Sequence, residues 1–315
     1  MRGALKRIGC FWIAGMICLL TVTGPAPARS EDRPAAAAQA DAKSEAAAPA
    51  PAAADGEKPA ADLTVSALNL YYYQGRAFSR NSLVIQPSLT VGYRGFSAGL
   101  WGNLDTNPYP LDQAEGKHSG NWTETDVTLS YGKTFGRVSA GLSYAYYGIA
   151  GANAGGADVR DQHDLGVSLK LNTLLNPALN VYYMFDNSQR WYFMIGISHT
   201  VEIRRMISLK LAATAGYLAS DMGTADMDGA HNRIDDSGNV LAEKYNNFLD
   251  GMVSITLPVK LTKFITLTPS IAFAFPLGKD AENYMKYNSC TDAAMNFSDK
   301  PSSFLIYGLA AGFGF

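Results

Sequence analysis

The stretch 302-SSFLIYGLAAGFGF-315 carries no charge and alternates up to its last residue. Leu305, Tyr307, Leu309, Ala311, Phe313 and Phe315 share one parity, and Gly308, Ala310, Gly312 and Gly314 the other. Such a segment is a strand with a greasy side and a small, nearly bare side. A soluble domain usually finishes in polar, frayed residues. A closing phenylalanine on an alternating strand is instead expected where that strand seals a sheet against lipid.

The same period of two runs through most of the chain. In 264-FITLTPSIAFAF-275, Ile265, Leu267, Pro269, Ile271, Phe273 and Phe275 alternate with Thr266, Thr268, Ser270, Ala272 and Ala274. Segments 191–203 and 248–261 repeat the pattern. Twelve such segments are expected, near 63–73, 82–93, 95–105, 122–134, 137–147, 163–173, 178–186, 190–203, 205–218, 247–261, 263–275 and 303–315. In the first, the apolar parity slips between Ala67 and Leu68, which reads as a bulge. Tight turns at Arg94, Gly136, Leu174 to Pro177, Arg204 and Thr262 alternate with connections that include long ones near 106–121, 148–162, 219–246 and 276–302. Short turns on one rim and long loops on the other mark a transmembrane barrel.

The fold expected is therefore all-β: a closed antiparallel transmembrane barrel of about twelve strands. Lipid supplies no hydrogen bonds, so a sheet crosses it only when no edge is left open. A soluble β-sandwich would explain the alternation, but not the loop rhythm, the terminal phenylalanine and an export signal together. That signal is read in residues 1–28, where Arg2, Lys6 and Arg7 precede an apolar run and Ala26-Pro27-Ala28 offers a small-x-small cleavage site. Its removal takes the formal charge from −2 to −5. Residues 29–61 are rich in Ala and Pro without an apolar face and are expected to be a disordered periplasmic tether; the barrel takes 62–315. No stretch after residue 30 reaches the roughly 18 apolar residues of a spanning helix.

Aromatic residues fall where two interfacial girdles belong. The outer one would hold Tyr71, Tyr146, Tyr183, Trp191, Tyr217 and Phe275, and the inner one Tyr93, Phe96, Tyr131, Phe264, Phe313 and Phe315. Charges sort onto the lumen parity: Asp105, Asp126, Asp164, Asp186 and Asp250 near the outer mouth, and Lys170, Lys210 and Lys260 nearer the periplasm. Two readings of these candidate pore-lining residues stand side by side. Acids above bases would set up an axial field on passing solutes, or the charges pair across strands and plug the interior.

Enzymatic and metal chemistry finds little support. His118, His163, His199 and His231 are the four histidines. Neither His118-Ser119, in a loop, nor His199-Thr200, whose side chains diverge, forms the nucleophile and base that a barrel hydrolase needs. The acidic loop 221–236 does not match a calcium loop and reads as solvated surface. Cys290 is the one cysteine left after signal removal, so no internal disulfide is expected. No cofactor, metal or catalytic residue is expected, and the charge gives no sign of nucleic-acid binding.

Residues 66–106 resemble the opening of the TorF-type putative porins, a family of proteobacterial outer-membrane proteins, through Tyr73, Gly75, Gln86, Gly95, Phe96, Gly99, Trp101, Asn103 and Asp105. The first hairpin departs from that pattern, having Gly75-Arg76 with Ser79 further on. The resemblance implies a barrel and transport. The terminal strand, with Phe313 and Phe315, resembles the signal read by the outer-membrane assembly machinery. Expected partners are that machinery, outer-membrane lipid with lipopolysaccharide, and small solutes. A narrow porin is the first reading; a structural or adhesive barrel with a packed lumen and a lipid-modifying barrel enzyme are the alternatives.

Overall fold

A computed structural model describes residues 58–107, 121–149, 161–185, 189–221, 231–289 and 295–315. The export signal, most of the tether, His118, Asp186, Cys290 and residues 222–230 of the acidic loop lie outside them. Among the described residues, twelve strands form the wall. They are β1 (Ala60–Leu68), β2 (Val84–Tyr93), β3 (Phe96–Asp105), β4 (Trp122–Phe135), β5 (Val138–Ile149) and β6 (Gln162–Leu171). They continue as β7 (Ala178–Met184), β8 (Arg190–Arg204), β9 (Ile207–Ser220), β10 (Asn246–Thr256), β11 (Ile265–Pro276) and β12 (Phe304–Gly314). Val259–Lys260 prolongs β10 beyond a break at Leu257-Pro258.

Every strand pairs antiparallel with its sequence neighbours, and β1 pairs with β12, so the sheet is closed. At the seam Leu63 faces Phe313 and Leu68 faces Gly308. The backbones of Ala61 and Phe315 exchange two further hydrogen bonds, at 2.8 and 3.4 Å. Closure leaves no unpaired edge, which is what hydrocarbon demands of a sheet.

Alternation sorts the side chains as two solvents would. Outward positions are apolar and bare: Phe96 is 65% exposed, Leu142 56% and Leu129 53%, and comparable leucines, isoleucines and valines ring the wall. In water such a belt would be a large unsatisfied apolar surface; in lipid it is the favourable face. No described helix is long and apolar enough to cross a membrane. The closed wall and its belt make this an outer-membrane β-barrel.

The tight turns explain themselves locally. Between β2 and β3, Arg94 (φ 49°) and Gly95 (φ 86°) both take left-handed backbone, the two-residue hairpin turn that matches strand twist. On the outer face of the wall, toward the long loops, aromatic residues form a run of ring contacts. Trp191 lies 4.4 Å from Tyr183 and 6.1 Å from Phe193, and Tyr217 bridges Phe193 at 6.3 Å to Phe248 at 5.4 Å, centroid to centroid.

The first strand differs from expectation. β1 pairs with β2 without any slip from Ala60 to Leu68, so there is no bulge at Ala67 and the wall begins two residues into the expected tether. After Leu68 the chain leaves the wall. Asn69 takes over its place at the rim, donating from its backbone N–H to Tyr307 O at 3.1 Å and accepting from Tyr307 N at Oδ1, 2.7 Å. Tyr71 is therefore not a girdle residue. It is buried inside the barrel, because the strand bearing it turns inward.

Two long connections also carry structure. Residues 232–234 and 240–244 pair as a hairpin. A helix, α1 (Lys279–Asn288), follows Gly278 and buries Ala281, Tyr284 and Met285. Asp280 and Glu282 sit in its first turn, favourable toward the helix dipole. Arg233 ties the two together, pairing with Glu243 and with Asp280 at 3.2 Å, while Asn283 Nδ2 donates to Asp236 Oδ1 at 2.9 Å.

Candidate functional site

The inward turn after β1 is a miniature hairpin inside the lumen. Tyr72–Tyr73 pairs with Arg76–Ala77 across Gln74 (φ 45°) and Gly75 (φ 78°), again a turn with both central residues left-handed. Gly75 is required twice over, since a β-carbon there would sit 2.9 Å from Leu249. Three consecutive tyrosines then serve three sides. Tyr71 Oη donates to Glu124 Oε2 at 2.8 Å, Tyr72 Oη to Asp250 Oδ2 at 2.9 Å, and Tyr73 Oη lies 3.4 Å from Tyr147 Oη. Tyr71 packs between Phe78 at 5.0 Å and Trp101 at 5.7 Å. Tyr72, fully buried, lies against Phe304.

The wall answers with its own tyrosines. Tyr192 Oη gives Asp250 a second donor at 2.8 Å, and Tyr147 Oη donates to Asp164. A carboxylate in a closed space is costly unless hydrogen-bonded. Here neutral phenol donors supply those bonds. Asp105, Asp126, Asp164 and Asp250 all point inward at the long-loop rim and are buried. Asp105 accepts from the Asn107 backbone at 2.8 Å. Asp164 and Asp250 are thus buried at the mouth and braced by tyrosine hydroxyls. Lys170, Lys210 and Lys260 occupy inward parity at the opposite end, where Lys170 is level with Ser139, Lys210 with Thr256 and Lys260 with Thr266.

The packed mouth also holds a buried cation. Arg190 opens β8, points inward and is 6% exposed. It donates to His231 Nε2 at 2.7 Å and to Gln74 Oε1 at 3.2 Å, joining the hairpin tip to the loop above. His231 is buried, with Nδ1 3.0 Å from Tyr284 Oη on α1. Because Arg190 can only donate, Nε2 must be the acceptor nitrogen, which leaves the ring proton on Nδ1, directed at Tyr284. Burial first, and then the Arg190 charge, hold His231 well below the usual histidine range, so it is neutral.

The lumen is thus divided. Near the long loops, hairpin, helix and wall meet in one apolar cluster with Tyr72, Tyr192, Leu249, Tyr284 and Ile306. Toward the short turns, the lysines apart, the inward side chains are mostly small and polar: Ser88, Thr90, Thr128, Ser168, Asn180 and Thr214 are only half-buried, whereas Thr256, Thr266 and Thr268 are buried. Serines 97 and 130 meet there at 2.5 Å.

Residues 66–106 gain a spatial meaning. Gln86 Nε2 donates to Asn103 Oδ1 at 2.9 Å, Asn103 Nδ2 to Thr123 Oγ1 at 2.7 Å, and Trp101 supports Tyr71. Tyr73, Gln86, Trp101, Asn103 and Asp105 all face the mouth. Glu124, Tyr147, Arg190, Tyr192 and His231 were not singled out for it by the sequence. Their one signal is inward parity at the rim ends of strands, or, for His231, none. His199 lies near the opposite rim, 2.8 Å from Leu174 O through Nδ1. Asp235 is absorbed in a turn, accepting from Ser237 and Asn239, and among the described residues no three His, Cys, Asp or Glu side chains gather as a metal site.

No known family profile matches the sequence, and no curated protein matches it. Among solved structures the chain is similar to the NanC porin (11% identity, 80% of this chain and 98% of that one, TM-score 0.45). It is likewise similar to the KdgM porin (9%, 81% and 99%, 0.46) and to LpxR from Salmonella typhimurium (9%, 80% and 99%, 0.40).

Proposed function

We propose that the chain is a narrow channel of the bacterial outer membrane for small hydrophilic solutes, constricted at its outer mouth by its own first loop. The observation carrying this is the asymmetry of the lumen. On the β2, β4, β6, β7 and β9 side of the short-turn half, inward side chains such as Ser88, Thr90, Thr128, Ser168, Asn180 and Thr214 are polar and only half-buried, although Thr256, Thr266 and Thr268 opposite are buried; those of the long-loop half are buried beneath residues 70–78. A barrel that needed only to be solid would be packed along its length. The resemblance of residues 66–106 to the TorF-type putative porins supports this reading, since five of the matching side chains converge on the constriction. Phe313 and Phe315, at the seam with β1, are the residues we assign to recognition by the assembly machinery.

Conductance of the refolded barrel in planar bilayers is the test. An open path should pass ions in discrete steps, and Lys210→Glu should move selectivity toward cations if Lys210 lines it. A silent barrel would support the second reading, a structural protein with a packed lumen, which the filled mouth favours. Removal of residues 70–78 separates the two: a constricted channel gains conductance, whereas a solid body remains silent.

A further inference from the structure

The mouth braces acids and a base by different means. Glu124, Asp164 and Asp250 each accept a hydrogen bond from a tyrosine hydroxyl. Arg190 has no such counterpart. Its two partners, His231 and Gln74, are neutral, and no carboxylate pairs with it among the described residues. Its Nε–H is buried without an acceptor among the described residues. Neighbouring cations add to the imbalance: Arg76 donates to the Asn288 carbonyl at 3.2 Å and Lys244 to the Asn232 side chain at 3.1 Å, again neutral acceptors. Both are close enough to disfavour protonation of His231, after burial and Arg190. A buried guanidinium with no carboxylate in direct contact is a costly arrangement that a bound anion would relieve.

We propose that Arg190 is the anchor of an oxyanion site at the outer mouth, taking the carboxylate or phosphate group of a solute, an inference that rests on the reading of the barrel as a channel. The geometry indicates how. Nε and one terminal nitrogen form one edge of the guanidinium fork, and a carboxylate or phosphate accepts from both in parallel. If that terminal nitrogen is the one bound to Gln74, the arriving oxyanion takes the free Nε–H and replaces Gln74 Oε1, which is held at 3.2 Å. Gln74 is the tip of the hairpin that closes the mouth, so occupation of the site detaches one of the hairpin's anchors. A neutral solute would offer an acceptor no stronger than the Gln74 amide it had to replace.

The test uses the refolded full chain, with folding of each variant checked by its heat-dependent gel mobility. Inorganic phosphate and acetate are titrated separately by calorimetry, which tells the two ligand groups apart. Binding should weaken at least tenfold in Arg190→Gln. It should tighten in Gln74→Ala, because the competing acceptor is gone; a merely structural role for Arg190 predicts no such gain. Equal binding by wild type and Arg190→Gln, or no tightening in Gln74→Ala, overturns the site. Potassium chloride conductance is read on the same samples. Conductance without selective anion binding removes the site and leaves the channel, while binding at Arg190 in a silent barrel keeps the site and removes the channel.

Discussion

Tyr72 Oη donates to Asp250 Oδ2 across 2.9 Å, joining the first loop to a strand 178 residues further on. The bond sits inside the barrel, where Asp250 also receives Tyr192. It belongs to the set of contacts that folds a connection of the long-loop rim into the barrel.

Tyr72→Phe removes that donor and leaves one carboxylate oxygen buried without it. A loss of about 1–3 kcal/mol in docking of the hairpin is expected. The wall, held by its own hydrogen bonds, should fold as before. Single-channel recordings should show more frequent or larger openings than wild type, with unchanged heat-dependent gel mobility.

Gly75→Ala acts on the same element through the backbone. Its left-handed φ and the Leu249 contact both disfavour a β-carbon. The cost is roughly 1–2 kcal/mol for the conformation alone. Conductance should rise as in Tyr72→Phe, and limited proteolysis of folded barrels should cut within residues 70–78.

Acid should loosen the mouth from above. His231 is neutral in the fold because its proton affinity is depressed, so the unfolded or undocked loop binds a proton more readily. Its contribution is complete above about pH 6.5 and declines as pH falls toward the depressed folded value, by at most about 1.4 kcal/mol per pH unit. Protonation at Nε2 would also set a cation against Arg190. Channel opening should increase below about pH 6.5 in wild type, and His231→Gln should remove most of that dependence.

Neighbouring positions on β4 test the two faces of the wall. Leu129 points to lipid and Thr128 to the lumen. Leu129→Lys should cost about 2–4 kcal/mol in folding into lipid vesicles. Thr128→Lys should cost far less, since its head group reaches the lumen. Denaturant titration in vesicles measures both; equal costs would place the two residues in the same medium.

The wall is legible in the sequence because each strand reports its own surroundings. Period-two alternation depends only on which residue meets which medium, so β8, β11 and β12 are readable one at a time, as are the turns at Arg94 and Gly136. The same signal misplaced residues 69–73. Three tyrosines in a row suit a rim girdle and an inward hairpin equally, and the cue that separates them, the Gln74-Gly75 turn followed by Arg76-Ala77, is only two residues long on each side. α1 was read as loop because the connection around it gave no contrast of faces against a known partner.

Composition and alternation alone thus determined a closed lipid-facing barrel, since hydrocarbon imposes its demand residue by residue. The closing of its mouth was decided only in three dimensions. Tyr71, Tyr72, Gln74, Glu124, Arg190, His231 and Asp250 come from three wall strands and two loops. Their hydrogen bonds exist only once closure of the wall has brought those strand ends around a single space.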